Sequence, residues 1–328
     1  MDKSVRLWHV SMNECLRVFQ HNDFVTAIDF HPLNDKFFLS GSLDEKLRLW
    51  NIPDHKIADW VHVHEMITAA CFSSDGNTVA AGSYKGKCWY YEVRDKKFEY
   101  LTQVDVRHTS TSKVRLTQVD VRHTSTSKSA GDKITGMQFL PREPRKLLIT
   151  SNDSRIRMFD GYKQCTKFKG LKNLNSQIHA QVCSQGDYII CGSEDEHVYI
   201  WSTGRSCIPS INPAYTGFRW DKRHCYECFP AHEDIVTAAL FAPDSVRLVT
   251  PQVLSPDAAT GQTRAGHALL NPDAAKKLNQ VSDDEAAFER EVAQAAVKAA
   301  SALGQVIISA GYSGEVRIFE NYGMPAWL

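Results

Sequence analysis

The 328-residue chain is long enough to bury one large core or several smaller ones. Its 38 Lys and Arg balance its 38 Asp and Glu, so net charge gives no ground for nucleic-acid or membrane-surface binding. No apolar run reaches the roughly 18 residues that span a bilayer, no signal core follows Met1, and nine scattered cysteines read as reduced thiols of a cytosolic protein.

Residues 2–8 read as a strand and residues 15–19 as its partner. Next, Val25, Ala27 and Asp29 alternate with Phe24, Thr26, Ile28 and Phe30, the period of two expected of a strand. His31-Pro32-Leu33-Asn34-Asp35 is turn chemistry. A second strand at 37–41, a tight turn at Leu43-Asp44-Glu45, a third strand at 46–50 and an outer fourth at 56–61 complete a unit, and residues 67–72 open the next. The phrase running from Ser40 to Trp50 recurs in degenerate form, ending at Trp8, Tyr91, Phe159, Trp201 and Phe319. A period of roughly 40 to 45 residues with four strands per unit is the signature of a WD-repeat propeller. The expected fold class is all-β, a WD-repeat β-propeller that is incomplete. It holds about four full blades, with inner strands starting near Phe24, Ile67, Ile134 and Gln177, a partial fifth from Ile235, and an N-terminal outer hairpin.

Two segments interrupt this single propeller domain of residues 1–328. Residues 101–113 reappear unchanged at 116–128, so 101–128 is a tandem-duplicated loop segment of which one copy suffices for an outer strand. Residues 244–304 form an insertion between the first and second strands of the last blade. Pro243, Pro251, Pro256 and Pro272 punctuate its start, and Ser282-Asp283-Asp284-Glu285 reads as a capping box. An Ala-rich helix is expected at 283–303, with Phe288, Val292, Ala295, Ala299 and Leu303 on one weak apolar face and Gly304 as its stop.

His21, Ser40, Asp44 and Trp50 have the spacing of the hydrogen-bonded tetrad that ties strands together within a WD blade. Other blades keep pieces of it: Asp153 with Phe159, Asp195 with Trp201, His232 with Phe319. A catalytic-triad reading of His, Ser and Asp fails, because a packed Ser bonded to Trp is no nucleophile and no oxyanion-hole motif accompanies it. His224, Cys225, Cys228 and His232 form the one cluster with metal-ligand character, and Cys207 is the only further candidate. A second well-spaced pair is missing, so the cluster reads as a loop and outer strand rather than a zinc site. No phosphate loop, zincin motif or paired catalytic carboxylates occur, so no catalytic residue, metal or cofactor is expected.

At the level of longer words, residues 1–9, 20–28 and 38–53 closely resemble the C-terminal propeller of the WD repeat-containing protein 44 family. Residues 133–136, 150–157 and 193–203 add to the match, as do Ala231-His232 and Val236-Thr237. The resemblance implies a non-catalytic interaction scaffold acting with a Rab GTPase in endosomal recycling and vesicle trafficking. It implies a cytoplasmic location peripheral to endosomal or Golgi membranes, with membrane association only indirect. In that family the Rab-binding region lies upstream of the propeller, so the resemblance assigns Rab binding to no residue of this chain. A substrate-recruiting adaptor of a ubiquitin ligase is the alternative. Because the hairpin at 2–19 lacks inner strands and no fourth strand follows Phe319, the chain is also expected to be a truncated fragment that does not close alone.

Overall fold

Among the described residues, twenty-one β-strands, arranged as successive antiparallel sheets, carry the fold. The structure, a computed structural model, describes residues 2–106, 132–203, 226–243 and 306–320. The second copy of the duplication, the insertion at 244–304 and its expected helix lie outside the described residues. Leu101 to Asp105 of the first copy belong to an outer strand.

A hairpin of β1 (Ser4–Trp8) and β2 (Cys15–Gln20) comes first. Four four-stranded blades follow. The first holds β3 (Val25–Phe30), β4 (Phe37–Ser42), β5 (Lys46–Asn51) and β6 (Lys56–His62). The second holds β7 (Ile67–Phe72), β8 (Thr78–Ser83), β9 (Lys87–Arg94) and β10 (Lys97–Asp105). The third holds β11 (Ile134–Leu140), β12 (Glu143–Ser151), β13 (Arg155–Asp160) and β14 (Lys163–Phe168). The fourth holds β15 (Gln181–Val182), β16 (Tyr188–Gly192), β17 (His197–Ser202) and β18 (Tyr226–Pro230). A three-stranded sheet of β19 (Val236–Phe241), β20 (Val306–Gly311) and β21 (Val316–Glu320) is the last. These sheets make an all-β, incomplete WD-repeat propeller.

The chain divides into two compact units. The first comprises Met1–Cys207, Ile211–Phe241 and Ile308–Arg317; the second comprises Ile208–Ser210, Ala242–Ile307 and Ile318–Leu328. In the second, Ala242 N–H donates to the Val306 carbonyl at 2.8 Å. The core of the first unit lies at its blade junctions. Leu39 and Leu49 of the first blade meet Ile67 and Val79 of the second. Ala80 and Tyr90 of the second meet Ile134 and Ile149 of the third, and Ile156 and Met158 of the third meet Ile189 and Trp201 of the fourth. Burying two faces of a blade in this way explains why β4, β7 and β8 are buried almost throughout rather than alternating.

The repeated glycine marks where blades approach most closely. A Cβ on Gly41 would stand 2.6 Å from Ile67 Cγ2, and one on Gly192 would stand 2.2 Å from the Val236 carbonyl oxygen. In the third blade the small residue moves to the facing strand: Gly136 pairs with Thr150, and the His179 ring fills the space over Gly136.

Side chains also stitch neighbouring blades at both ends of their inner strands. Thr26 and Thr68 each donate through Oγ1 to the next blade, to the Ile67 and Ile134 carbonyls, both at 2.7 Å. At the other end Asp29 accepts the Phe72 N–H at 2.8 Å, and Gln138 Oε1 accepts the Val182 N–H at 2.9 Å.

The inner strand expected from Gln177 is only the two residues of β15. One amide within the expected span, that of Ala180, is taken out of the ladder by a side chain, and those just before Gln177 are held by another. Glu194 Oε1 accepts from the N–H groups of Leu174, Asn175 and Ser176 at 3.0, 2.8 and 2.9 Å, and Thr150 Oγ1 accepts from Ala180 at 3.1 Å.

Candidate functional site

His21, Ser40 and Trp50 form one buried line of hydrogen bonds. Residue 21 follows β2 directly, Ser40 sits mid-β4, and Trp50 lies near the end of β5, opposite Phe38 in register. Trp50 Nε1–H donates to Ser40 Oγ at 2.8 Å, and the Ser40 hydroxyl lies 2.8 Å from His21 Nε2. His21 Nδ1 is 3.2 Å from the Phe19 carbonyl. With the proton on Nδ1, every donor in the line meets an acceptor. Burial pushes the His21 pKa down, and the neighbouring Arg48 charge adds to that, so the ring is held neutral. Ser40 is 0% exposed and accepts the indole proton, a geometry that no substrate reaches.

Asp44 does not join His21. Its two oxygens accept from the Arg48 guanidinium at 3.0 and 2.5 Å, and Oδ1 also takes the Lys46 N–H at 3.1 Å. The reason is Arg48, which lies opposite Ser40 on β5 and is 4% exposed. A buried guanidinium cannot shed its proton and must find a carboxylate. Burial alone would raise the Asp44 carboxyl, yet the Arg48 partner holds it below its ordinary value. The expected four-residue relay is therefore a three-residue relay beside an arginine-clamped turn. Arg48 escaped the sequence reading, although Asp followed four residues later by Arg recurs as Asp2/Arg6, Asp44/Arg48 and Asp153/Arg157 and was the available signal.

The middle blades rebuild the network with different groups, and the last keeps its His–Ser pair. In the second, Glu65 is 5% exposed, accepts from Ser83 Oγ at 2.8 Å and pairs with Lys87 at 2.7 Å. In the third, Arg157 grips Asp153 and donates to Ser151 Oγ at 2.8 Å; Phe159 takes no part in that network, since it is wholly apolar. In the fourth, Cys191 stands where Ser40 would, Trp201 donates instead to the Lys169 carbonyl at 3.0 Å, and Asp195 accepts from the Tyr199 hydroxyl at 2.7 Å. In the last, His232 Nε2 lies 2.8 Å from Ser309 Oγ. Ser309, not named in the sequence reading, thus repeats the role of Ser40.

Of the cysteine–histidine cluster, His224, Cys225 and Cys207 lie outside the described residues. Cys228 sits on β18 opposite Tyr199, and burial raises its thiol pKa. His232 is committed to Ser309.

Where the inner strands converge, residues 28–30, Pro32, 70–74, 137–139, His179 and Gln181 line an open cavity of about 310 Å3. Asp29, Cys71, Gln138 and Gln181 occupy equivalent positions on β3, β7, β11 and β15 and form one layer of its wall. Burial pushes the Asp29 carboxyl up and the His179 imidazole down.

Blades of this geometry define a WD-repeat protein, a class whose domains mediate protein–protein interaction. The WD domain, G-beta repeat family matches residues 13–51, 60–92 and 172–202. Over 326 residues the chain is 39% identical to WD repeat-containing protein 44 of Xenopus laevis, a match covering 98% of this chain and 30% of that protein. The chain belongs to the family of WD repeat-containing protein 44. It is also 30% identical over 208 residues to an uncharacterized WD repeat-containing protein of Schizosaccharomyces pombe (61% of this chain, 32% of that protein). With Jouberin of Mus musculus it shares 28% identity over 213 residues (61% and 19%). The chain thus spans less than a third of the length of each of these relatives. Among the described residues no helix is long and apolar enough to cross a membrane.

Proposed function

We propose that the chain is the non-catalytic interaction propeller of a trafficking scaffold. On this reading it serves a protein that acts with a recycling-endosome Rab GTPase, in the cytoplasm at the periphery of endosomal or Golgi membranes. The observation that carries the reading is the 39% identity to WD repeat-containing protein 44 across 98% of the chain. The burial of Ser40 and the commitment of every tetrad side chain to structural bonds support a binding role over a catalytic one. Rab engagement is assigned to the region upstream of the propeller in the family, and the propeller itself recruits other proteins. Affinity capture from cells tests this with the chain and with the whole protein in parallel. The whole protein is expected to recover a GTP-loaded Rab that the chain alone does not. Recovery of ubiquitin-ligase subunits without any Rab would overturn the reading in favour of a ligase adaptor.

A further inference from the structure

Leu101 to Lys113 recur unchanged at 116–128, so the sequence holds two identical candidates for one place in the fold. That place is the end of β10, the outer strand of the second blade. There Thr102, Gln103, Val104 and Asp105 of the first copy pair with Tyr90, Trp89, Cys88 and Lys87 of β9. Val106 follows, 2% exposed, and its N–H donates to the Gly86 carbonyl at 3.1 Å. With Leu101 and Val104 it belongs to the core cluster that joins Cys88 and Tyr90 to Ile134 of the third blade. Every side chain used here is present again at 116–121 and in the same order. Pairing and packing therefore do not tell the copies apart, and only their connections do.

The connections admit either copy. The ladder between β9 and β10 already breaks at Leu101, which stands between Tyr100, opposite Tyr91, and Thr102, opposite Tyr90. A chain that leaves the sheet after Tyr100 and returns at residue 117 keeps the pairing on both sides of that break. Downstream, the first blade shows how little chain the exit needs. Val63 holds the position of Val106, donating to the Glu45 carbonyl at 2.8 Å, and only residues 64–66 separate it from β7. Residues 107–133 lie between Val106 and β11, and residues 122–133 between the second copy and β11, so both reach with length to spare. We propose that residues 116–121 are an exchangeable outer strand that takes the place of 101–106 on β9. The first copy is favoured because it continues from Lys97–Tyr100 without a break. Looping out 101–116 costs chain entropy worth about ten- to a hundredfold in population. Any change that penalises the first copy by more than this moves the strand to the second and leaves the blade whole.

The test places a carboxylate in the buried position of each copy, as Val106→Asp, Val121→Asp and the double variant of the full chain. Hydrogen exchange is read by mass spectrometry, where the substitution gives the peptides of the two copies different masses. An unpaired buried carboxylate is penalised well beyond about a hundredfold, so Val106→Asp exceeds the handicap of the second copy. That variant is expected to fold, with amide protection at least about tenfold lower at 102–106 and at least about tenfold higher at 117–121 than in the unaltered chain. Val121→Asp is expected to keep the melting temperature of the unaltered chain, and the double variant to lose protection in both copies and melt below Val106→Asp. A Val106→Asp chain that does not fold, that folds without protection at 117–121, or that melts with the double variant would each overturn the proposal.

Discussion

Ser40 is the residue on which the first blade's polar line turns, since it alone bonds to both Trp50 and His21. Ser40→Ala leaves an indole N–H and an imidazole nitrogen buried without partners. A loss of about 2–4 kcal/mol in unfolding free energy is expected, read from urea denaturation. A loss below about 0.5 kcal/mol, the range of a neutral surface change, would show that the line contributes nothing. The neutral state of His21 carries its own signature. Its folded pKa lies below the ordinary 6.5, so at mildly acidic pH the unfolded chain takes up a proton that the folded ring refuses. The stabilising contribution is whole above 6.5 and falls away as pH drops towards the lowered value. Burial depresses His31 and His179 in the same direction, so the native chain is expected to lose urea stability between pH 7.5 and pH 5. His21→Gln should remove part of that slope while leaving the share of the other two; an unchanged slope would mean that His21 is charged in the fold.

Elements are joined more tightly by steric closeness than by any single bond. Gly192 stands under the backbone of Val236, where a methyl group would meet the carbonyl oxygen first and the backbone itself must move. The Thr68 stitch to Ile134 is one hydrogen bond among many at its junction. Gly192→Ala is therefore expected to cost about 3 kcal/mol or more, and Thr68→Val about 1 kcal/mol. Thermal or urea unfolding of the two variants side by side checks the order, and the reverse order would refute this account of blade contact. The turns between the second and third strands of each blade obey a second rule. Glu45, Ser154 and Glu196, at one repeat position, hold φ of 65°, 58° and 70°, the left-handed region that Gly86 and Gly314 occupy without strain in the other blades. A turn shape has been kept while its best residue was not.

At the scale of the whole molecule, each blade of the first unit leans on its neighbours, as in other repeat folds where stability sums over adjacent contacts. The β1–β2 hairpin illustrates this, since two strands alone are marginal in water. What holds it is Phe19, 1% exposed and packed edge-on against Phe38 and Trp50 at 4.9 and 5.2 Å between ring centroids. Phe19→Ala is expected to cost about 3–5 kcal/mol of local stability. By hydrogen exchange, β1 and β2 should lose protection while β11 to β14 keep theirs. Uniform loss across all blades would mean that the unit melts as one body and not through nearest neighbours.

The strand plan was legible because its causes are local. Period-two alternation in β3, turn residues at His31 to Asp35 and a phrase returning at a fixed spacing need no knowledge of what lies across the chain. The spacing within one repeat named His21, Ser40 and Trp50, since their bonds join positions at constant offsets. What tertiary structure decided is everything that depends on which group lies next to which. Asp44 answers Arg48 and not His21 because the guanidinium is buried opposite Ser40 and keeps its charge. Glycine recurs at 41, 82 and 192 because another blade closes on that spot, and the third blade shows the alternative, with Gly136 facing Thr150. The short β15 goes with Thr150 capturing the Ala180 amide, which a ladder would have used. Asp29 reads in the sequence as one polar residue in an alternating strand; only the convergence of four inner strands makes it part of a cavity wall. Local order is set by neighbours along the chain, and sites are set by the burial that brings distant charges and donors together.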